Sequence, residues 1–176
     1  MNKITIKPCE DVYKYLQQIK KIDDECFSQY PMENYTEELI LDILENPKSY
    51  CLVAVDIEDS IEKIVGYILI SEDNIYYEDN EEIFDLLNEN DIDNYMVIYS
   101  IGISEKYRGK GIATKLVDIS CEMLRKDGYK TLYLEVRCSN KNAINLYKKN
   151  DFIEIQKLKT YYVEPKEEGL FMVKLL

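Results

Sequence analysis

The sequence contains no histidine and no tryptophan among its 176 residues. The missing histidine excludes Ser-His-Asp and Cys-His nucleophilic sites, His-ligated zinc and the commonest acid/base near neutral pH. Any proton transfer falls to carboxylate, tyrosine, lysine or cysteine. Long apolar runs are also missing, because residues 53–55 and 64–70 are short and flanked by charges, far from the ~20 residues of a membrane-spanning helix. No basic-then-apolar leader opens the chain. The five cysteines (Cys9, Cys26, Cys51, Cys121, Cys138) are odd in number, widely spaced and without a C-x-x-C pair, which predicts a reduced, cytoplasmic protein and no metal site. Cationic charge is scarce as well: 22 Lys plus Arg against 34 Asp plus Glu give a net charge of −12. Such a chain is a poor partner for duplex nucleic acid, where neutralising phosphates supplies most of the affinity.

What is present reads as a globular chain. With 46% apolar residues, six Gly and four Pro, composition excludes disorder, collagen and a small disulfide scaffold, and the length predicts a single domain over residues 1–176. The charge is uneven. Residues 1–70 carry net −7, residues 71–95 carry ten acidic and no basic side chains, and residues 96–176 carry net +5. The middle stretch reads as an acidic insertion, and its alternatives are a solvated loop or a cation-attracting entrance. Ile83, Phe84, Leu86 and Leu87 within it are spaced to form one face of a short helix.

Periodicity predicts the remaining order. A short strand at residues 4–6 ends at Pro8, and Val12, Tyr15, Leu16, Ile19 and Ile22 recur at helical spacing. Thr36 is a predicted N-cap, with Glu37 and Glu38 in the first turn of a second helix that ends before Pro47. Residues 50–55 and 64–70 predict a hairpin, 95–103 a strand, and 112–124 an amphipathic helix ending near Asp127-Gly128. A strand at 131–136, a helix at 140–149 and strands at 152–157 and 170–175 close an α/β arrangement.

The sharpest local signal is Arg108-Gly109-Lys110-Gly111-Ile112-Ala113-Thr114, between a strand and a helix. Glycines there let the backbone approach a ligand, and the first helical N–H groups have no intrahelical partner. The helix dipole with Arg108, Lys110, Lys106 and Lys115 therefore favours an anion such as a pyrophosphate. The alternative is a tight turn with a solvated basic face. The spacing is neither a Walker loop nor a dinucleotide G-x-G-x-x-G.

With Arg108-x-x-Gly111-x-Ala113 set after a strand, the sequence resembles the GNAT superfamily of N-acetyltransferases. The run from Tyr107 to Leu116 is typical of it. A second block, Leu134-Glu-Val-Arg-Cys-Ser-Asn140 with Ala143, Leu146-Tyr147 and Phe152, is similar to the RimI-type protein N-terminal (ribosomal-protein alanine) acetyltransferases. The resemblance implies a GNAT fold: a mixed, mostly antiparallel central sheet, splayed at the acetyl-CoA site and flanked by helices. It implies acetyl-CoA as cosubstrate, with its pyrophosphate on Arg108 through Thr114 and its pantetheine along Ile101-Gly102-Ile103. Asn140 would bond the cofactor, Glu135 would be the base and Tyr147 the proton donor to the CoA sulfur. Tyr161 and Tyr162 would line the acceptor pocket, on a loop between the last two strands.

Each residue has a plainer alternative: core packing for Tyr147, an exposed strand position for Glu135, a helix cap for Asn140, a local twist for Gly102, and strand packing for Tyr161 or Tyr162. Asp151 replaces the family's usual glycine, and Asn150-Asp151 can supply the left-handed turn instead. The segment Phe27-Ser-Gln-Tyr-Pro-Met32 matches the family's aromatic entrance only loosely. The implied activity is acetyl transfer to a primary amine in a ternary complex, preferably the N-terminal amine of a protein or peptide, by a monomer or homodimer. A polyamine or other small cationic amine is the alternative acceptor. A non-catalytic acyl-CoA-binding or interaction module is the alternative of another class.

Overall fold

The computed structural model describes residues 4–30, 33–58, 61–72, 81–90 and 92–176. The chain begins with β1 (Thr5–Pro8), then α1 (Val12–Phe27) and α2 (Glu37–Glu45). Asp11 caps α1 by accepting from the Lys14 N–H, and Thr36 caps α2 by accepting from the Leu39 N–H, as side-chain oxygens at these positions do. Next come β2 (Tyr50–Glu58), β3 (Ile61–Ser71), α3 (Glu81–Glu89), β4 (Tyr95–Ile103) and a single 3-10 turn at Glu105–Tyr107. The chain closes with α4 (Ile112–Lys126), β5 (Thr131–Arg137), α5 (Lys141–Lys149), β6 (Ile153–Val163) and β7 (Lys166–Leu175).

The strands form one sheet in the order β1-β2-β3-β4-β5-β7-β6. Every pairing among the described residues is antiparallel except β4 with β5, which are parallel. That parallel contact lasts three residue pairs, Tyr95↔Thr131 to Val97↔Tyr133. Beyond it the two strands part, and the gap between them is the feature that makes a site.

Alternation along the strands sends side chains to two covered faces. On one face Leu52, Ala54, Ile68, Met96, Leu134 and Met172 pack against Leu116, Val117 and Leu124 of α4 and Ile144 and Tyr147 of α5. On the other, Val53, Val55, Tyr67 and Leu69 meet Ile19 and Ile22 of α1 and Ile40 and Ile43 of α2. Ile19, Ile40 and Ile43 are fully buried, each contributing about 1.5–3 kcal/mol by leaving water.

The helix expected inside the acidic segment is α3. Its Ile83, Leu86 and Leu87 are buried against Val97, Tyr133, Phe171 and Val173, on the face that carries α1 and α2. The helical part of this stretch therefore covers the sheet; residues 73–80 and 91 of the stretch lie outside those described. Two turn expectations hold, since Asp151 has φ 64° and Gly128 φ 89°. The last two strands run longer than periodicity suggested, and β6 takes up Tyr161 and Tyr162, so these tyrosines lie at a strand end and not in a loop. Among the described residues no helix is long and apolar enough to cross a membrane.

Candidate active site

The pairing register of β4 decides which backbone groups face the gap. The Ser104 N–H donates to the Val65 carbonyl at 3.0 Å, and Gly66↔Ile103, Tyr67↔Gly102 and Ile68↔Ile101 follow. Hydrogen-bonded and non-bonded pairs alternate in an antiparallel ladder. Gly102 therefore pairs with β3, while the N–H groups of Ile101 and Ile103 turn toward the gap. One residue earlier the ladder slips: Leu69 pairs with Ser100 and Ile70 with Ile98, leaving Tyr99 as a bulge. The Tyr35 hydroxyl donates to the Tyr99 carbonyl at 3.1 Å, satisfying a group the bulge takes out of the ladder.

A cleft partly open to solvent, about 590 Å³ when the space at its open mouth is counted, occupies the gap. Its wall includes Ser100 and Ile101 of β4, Glu135 and Arg137 of β5, Asn140, Ala143 and Tyr147 around α5, Phe27 at the end of α1 with Tyr30 and Glu33 after it, and Tyr162 of β6. Tyr147 belongs to the core on the α4/α5 face, whereas Glu135 follows Tyr133, two residues earlier on the same side of β5, toward the opposite face. The cleft thus passes through the sheet at the seam where β4 and β5 part.

Tyr147 is 5% exposed and packs against the Phe152 ring, with centroids 5.4 Å apart. Burial pushes its phenol well above the ordinary range, so it stays a proton donor at every physiological pH. Glu135 is half-buried on the wall. Tyr162 is pushed up first by burial and then by the nearby Glu135 charge. The Asn140 side chain accepts from the Ala143 N–H at 3.1 Å, so it is the helix cap that its residue type favours, and it also lines the cleft. Tyr161 meets Tyr162 edge-on at 5.0 Å between centroids but is not on the cleft wall, so of the two tyrosines only Tyr162 reaches it.

The turn before α4 has the expected form. Gly109 and Gly111 have φ 74° and 75°, and no atom lies within 4 Å of where either Cβ would stand. Gly111 precedes Ile112, Ala113 and Thr114, whose N–H groups open the 15-residue helix α4. Open space over glycines at a helix N-terminus suits a pyrophosphate. Two basic side chains are placed differently from the sequence expectation. The Arg108 Nε donates to the Ile103 carbonyl at 2.9 Å and its Nη2 to the Cys26 sulfur at 3.5 Å, so its guanidinium sits at the end of β4. Lys110 lies over the Tyr107 ring at 4.7 Å.

Gly102 also has a packing reason to be a glycine. A Cβ there would meet Tyr67 Cε1 at 2.6 Å and Ile22 Cγ2 at 3.2 Å. The glycine makes room for the Tyr67 ring.

Sequence reading assigned no role to Arg137, which the structure makes the hub of one side of the cleft. Its side chain is 3% exposed. The guanidinium donates to both carboxylate oxygens of Glu33 at 2.8 and 2.9 Å, to Glu167 at 3.3 Å, and to the carbonyls of Pro165 and Glu164 at 2.9 and 3.1 Å. The rings of Tyr30 and Tyr162 lie 4.6 and 4.2 Å from its central carbon. A planar fork with five donors is the cation that can satisfy this set. Arg137 thereby ties the segment after α1 to the β6–β7 hairpin, the two chain stretches that flank the cleft. Burial raises the Glu167 carboxyl, but hydrogen bonds from the Ser139 N–H and hydroxyl and from Arg137 more than offset this and hold it below its ordinary value. The available signal was an arginine closing a mostly apolar strand, since a buried charge requires partners.

Comparison with known proteins places these features in a family. A family model described as the acetyltransferase (GNAT) family matches residues 16–152. The N-alpha-acetyltransferase of Saccharolobus solfataricus is 42% identical over 74 residues, 42% of this chain and 44% of that protein. N-alpha-acetyltransferase 30 of Schizosaccharomyces pombe is 33% identical over 66 residues, 38% of this chain and 44% of the relative. The chain thus spans a little under half the length of the curated relatives it matches. Among solved structures, Arabidopsis thaliana NAA60 in complex with acetyl-CoA superposes with a TM-score of 0.78 at 20% identity, covering 99% of each chain. The Escherichia coli ribosomal-protein-S18-alanine N-acetyltransferase superposes with a TM-score of 0.72 at 19% identity, covering 98% of this chain and 94% of that one. With a splayed β4–β5 seam, a glycine turn at the head of α4 and a family match across most of its length, the chain belongs to the acetyltransferase (GNAT) family.

Proposed function

We propose that the protein is an acetyl-CoA-dependent N-acetyltransferase whose acceptor is the N-terminal amine of a protein or peptide. The observation that carries this reading is the meeting of Glu135 and Tyr147 on the wall of one cleft, entered from opposite faces of the sheet. The residues present fit the cosubstrate: the open turn at Gly109–Gly111 with the N–H groups of Ile112, Ala113 and Thr114 suits a pyrophosphate, and Ile101 and Ile103 offer backbone groups to an extended arm. Acetyl-CoA supplies the activated acetyl group as a thioester.

The chain's own residues supply the rest. Tyr147, kept protonated by burial, delivers a proton to the departing sulfur. The Ile103 N–H is placed to meet charge developing on the acyl oxygen. Glu135 is the candidate base for the acceptor ammonium, directly or through water. Phe27, Tyr30 and Tyr162 form the aromatic wall on the acceptor side, held by Arg137. The names of the curated relatives support an N-terminal acceptor.

A small cationic amine is the second reading, favoured by the placement of the acidic helix α3 in the cluster that also contacts Tyr99, a residue of the cleft wall. The test is thiol release from acetyl-CoA against peptides with different first residues, polyamines and aminoglycosides. Turnover confined to peptides supports the first reading, turnover confined to polyamines the second. Tight acetyl-CoA binding with no release for any amine would leave only a binding module.

A further inference from the structure

One buried carboxylate has no part in the chemistry above. Asp23 of α1 is 0% exposed. Its Oδ1 accepts from the Tyr67 hydroxyl at 2.6 Å and its Oδ2 from the Tyr35 N–H at 2.9 Å. The Tyr67 oxygen is in turn 2.8 Å from Ser100 Oγ. Because the single Tyr67 proton is given to Asp23, the Ser100 hydroxyl is the donor in that last contact. The chain therefore runs Ser100 to Tyr67 to Asp23, with every proton pointing away from the cleft. Ser100 is a residue of the cleft wall, so it is the member of the chain that meets the cleft.

The surroundings of Asp23 favour uptake of a proton. Lys20 and Asp24 face it from its own helix, Tyr67 from β3 and Tyr35 from the segment before α2, while Cys26 faces Tyr67. Lys20 is engaged by Asp24 and Asn34. Burial raises the Asp23 carboxyl, and the hydrogen bonds from Tyr67 and Tyr35 only partly counter it. Gly102 completes the arrangement, since its missing Cβ lets the Tyr67 ring lie against β4.

We propose that Ser100, Tyr67 and Asp23, in place of Glu135, form a relay that carries the proton of the acceptor ammonium out of the cleft to a buried carboxylate, leaving Glu135 to attract the ammonium by its charge. This inference rests on the acetyltransferase reading. The ammonium proton passes to Ser100 Oγ, the Ser100 proton to the Tyr67 oxygen, and the Tyr67 proton to Asp23 Oδ1. The N–H bond of the ammonium and two O–H bonds break, and three O–H bonds form. The result is a neutral amine with its lone pair available and a protonated Asp23, which returns the proton by the reverse path once the product has left. Ser100 is the catalytic residue in this sequence; Tyr67 and Asp23 act through it.

The test uses the full chain and a peptide acceptor with a free α-amino group, whose pKa is about 8, over pH 6 to 9. Ser100→Ala leaves the Asp23 bonds to Tyr67 and Tyr35 untouched. It is expected to lower kcat/KM at pH 6 by ~10²-fold, the scale of a lost general base, and to approach the parent rate near pH 9, where the amine is already neutral. The KM for acetyl-CoA stays constant. Tyr67→Phe, which keeps the ring against Gly102 but interrupts the chain, is expected to show the same pH dependence, and Ser100→Thr, which retains a hydroxyl, to restore the acid limb. A Ser100→Ala profile parallel to that of the parent enzyme, or Ser100→Thr as impaired as Ser100→Ala, would overturn the relay while leaving the acetyltransferase intact. A parent protein that releases no thiol with any amine would overturn both.

Discussion

Replacing Arg137 with methionine keeps an unbranched apolar stem between the Tyr30 and Tyr162 rings but removes a guanidinium with five polar contacts. Its carboxylate partners are themselves mostly buried, with side-chain exposures of 22% for Glu33 and 21% for Glu167. Two charges then lose their counter-ion and two carbonyls lose a donor. Breaking a buried ion pair from one side costs about 3–5 kcal/mol; partial hydration of the two carboxylates places Arg137→Met near the lower end, at about 3 kcal/mol. For a chain of this size that corresponds to a fall in Tm of roughly 6–12 °C. Urea titration with an unchanged m-value measures it directly. A double-mutant cycle with Glu33→Gln isolates the pair and is expected to give a coupling of roughly 1–3 kcal/mol. Acceptor KM is expected to rise more than acetyl-CoA KM, because Arg137 fixes both flanks of the acceptor side. A loss below about 1 kcal/mol, or equal effects on both KM values, would refute the idea that Arg137 holds the two flanks together.

Tyr147→Phe preserves the packing on Phe152 and is expected to lower turnover by ~10²-fold while leaving acetyl-CoA affinity near its starting value; steady-state kinetics with calorimetric binding checks it, and unchanged turnover would remove the proton-donor role. Gly102→Ala introduces a Cβ 2.6 Å from Tyr67 Cε1, so it is expected to cost ~1–3 kcal/mol by overpacking in thermal or urea unfolding. Glu167, whose carboxyl is held below its ordinary value, adds stability that is complete above its unfolded-state pKa of about 4.3 and is lost as pH falls through the lower folded value. Glu167→Gln is accordingly expected to flatten that part of the acid-unfolding curve, and a curve superimposable on the parent's would contradict this.

The elements legible in the sequence were those written in local chemistry. Thr36, Asn140 and the Asp127-Gly128 stop were readable because caps and left-handed turns depend on one or two neighbouring residues. The β4 limits and α4 followed from composition and period, and the turn at Gly109–Gly111 from its place between them. What sequence reading missed depends on contacts distant in the chain. Arg137 meets Glu33 across 104 positions, and no period or motif marks such a pair. The packing reason for Gly102 was hidden for the same reason: the ring that requires it belongs to Tyr67, in a neighbouring strand. The Asp23, Tyr67 and Ser100 chain joins three elements, and each residue alone is an unremarkable polar position.

The narrow β4–β5 contact has a mechanical consequence. It divides the sheet into two plates, β1–β4 and β5–β7–β6, welded by three residue pairs, and this spatial division coincides with a division of the chain between residues 103 and 131. The acidic helix α3 belongs by sequence to the first plate yet seats Ile83, Leu86 and Leu87 on Tyr133, Phe171 and Val173 of the second. It is therefore a brace across the weld, set on the face opposite α4. The helix within the acidic segment thus fixes the angle between the plates, and with it the width of the cleft.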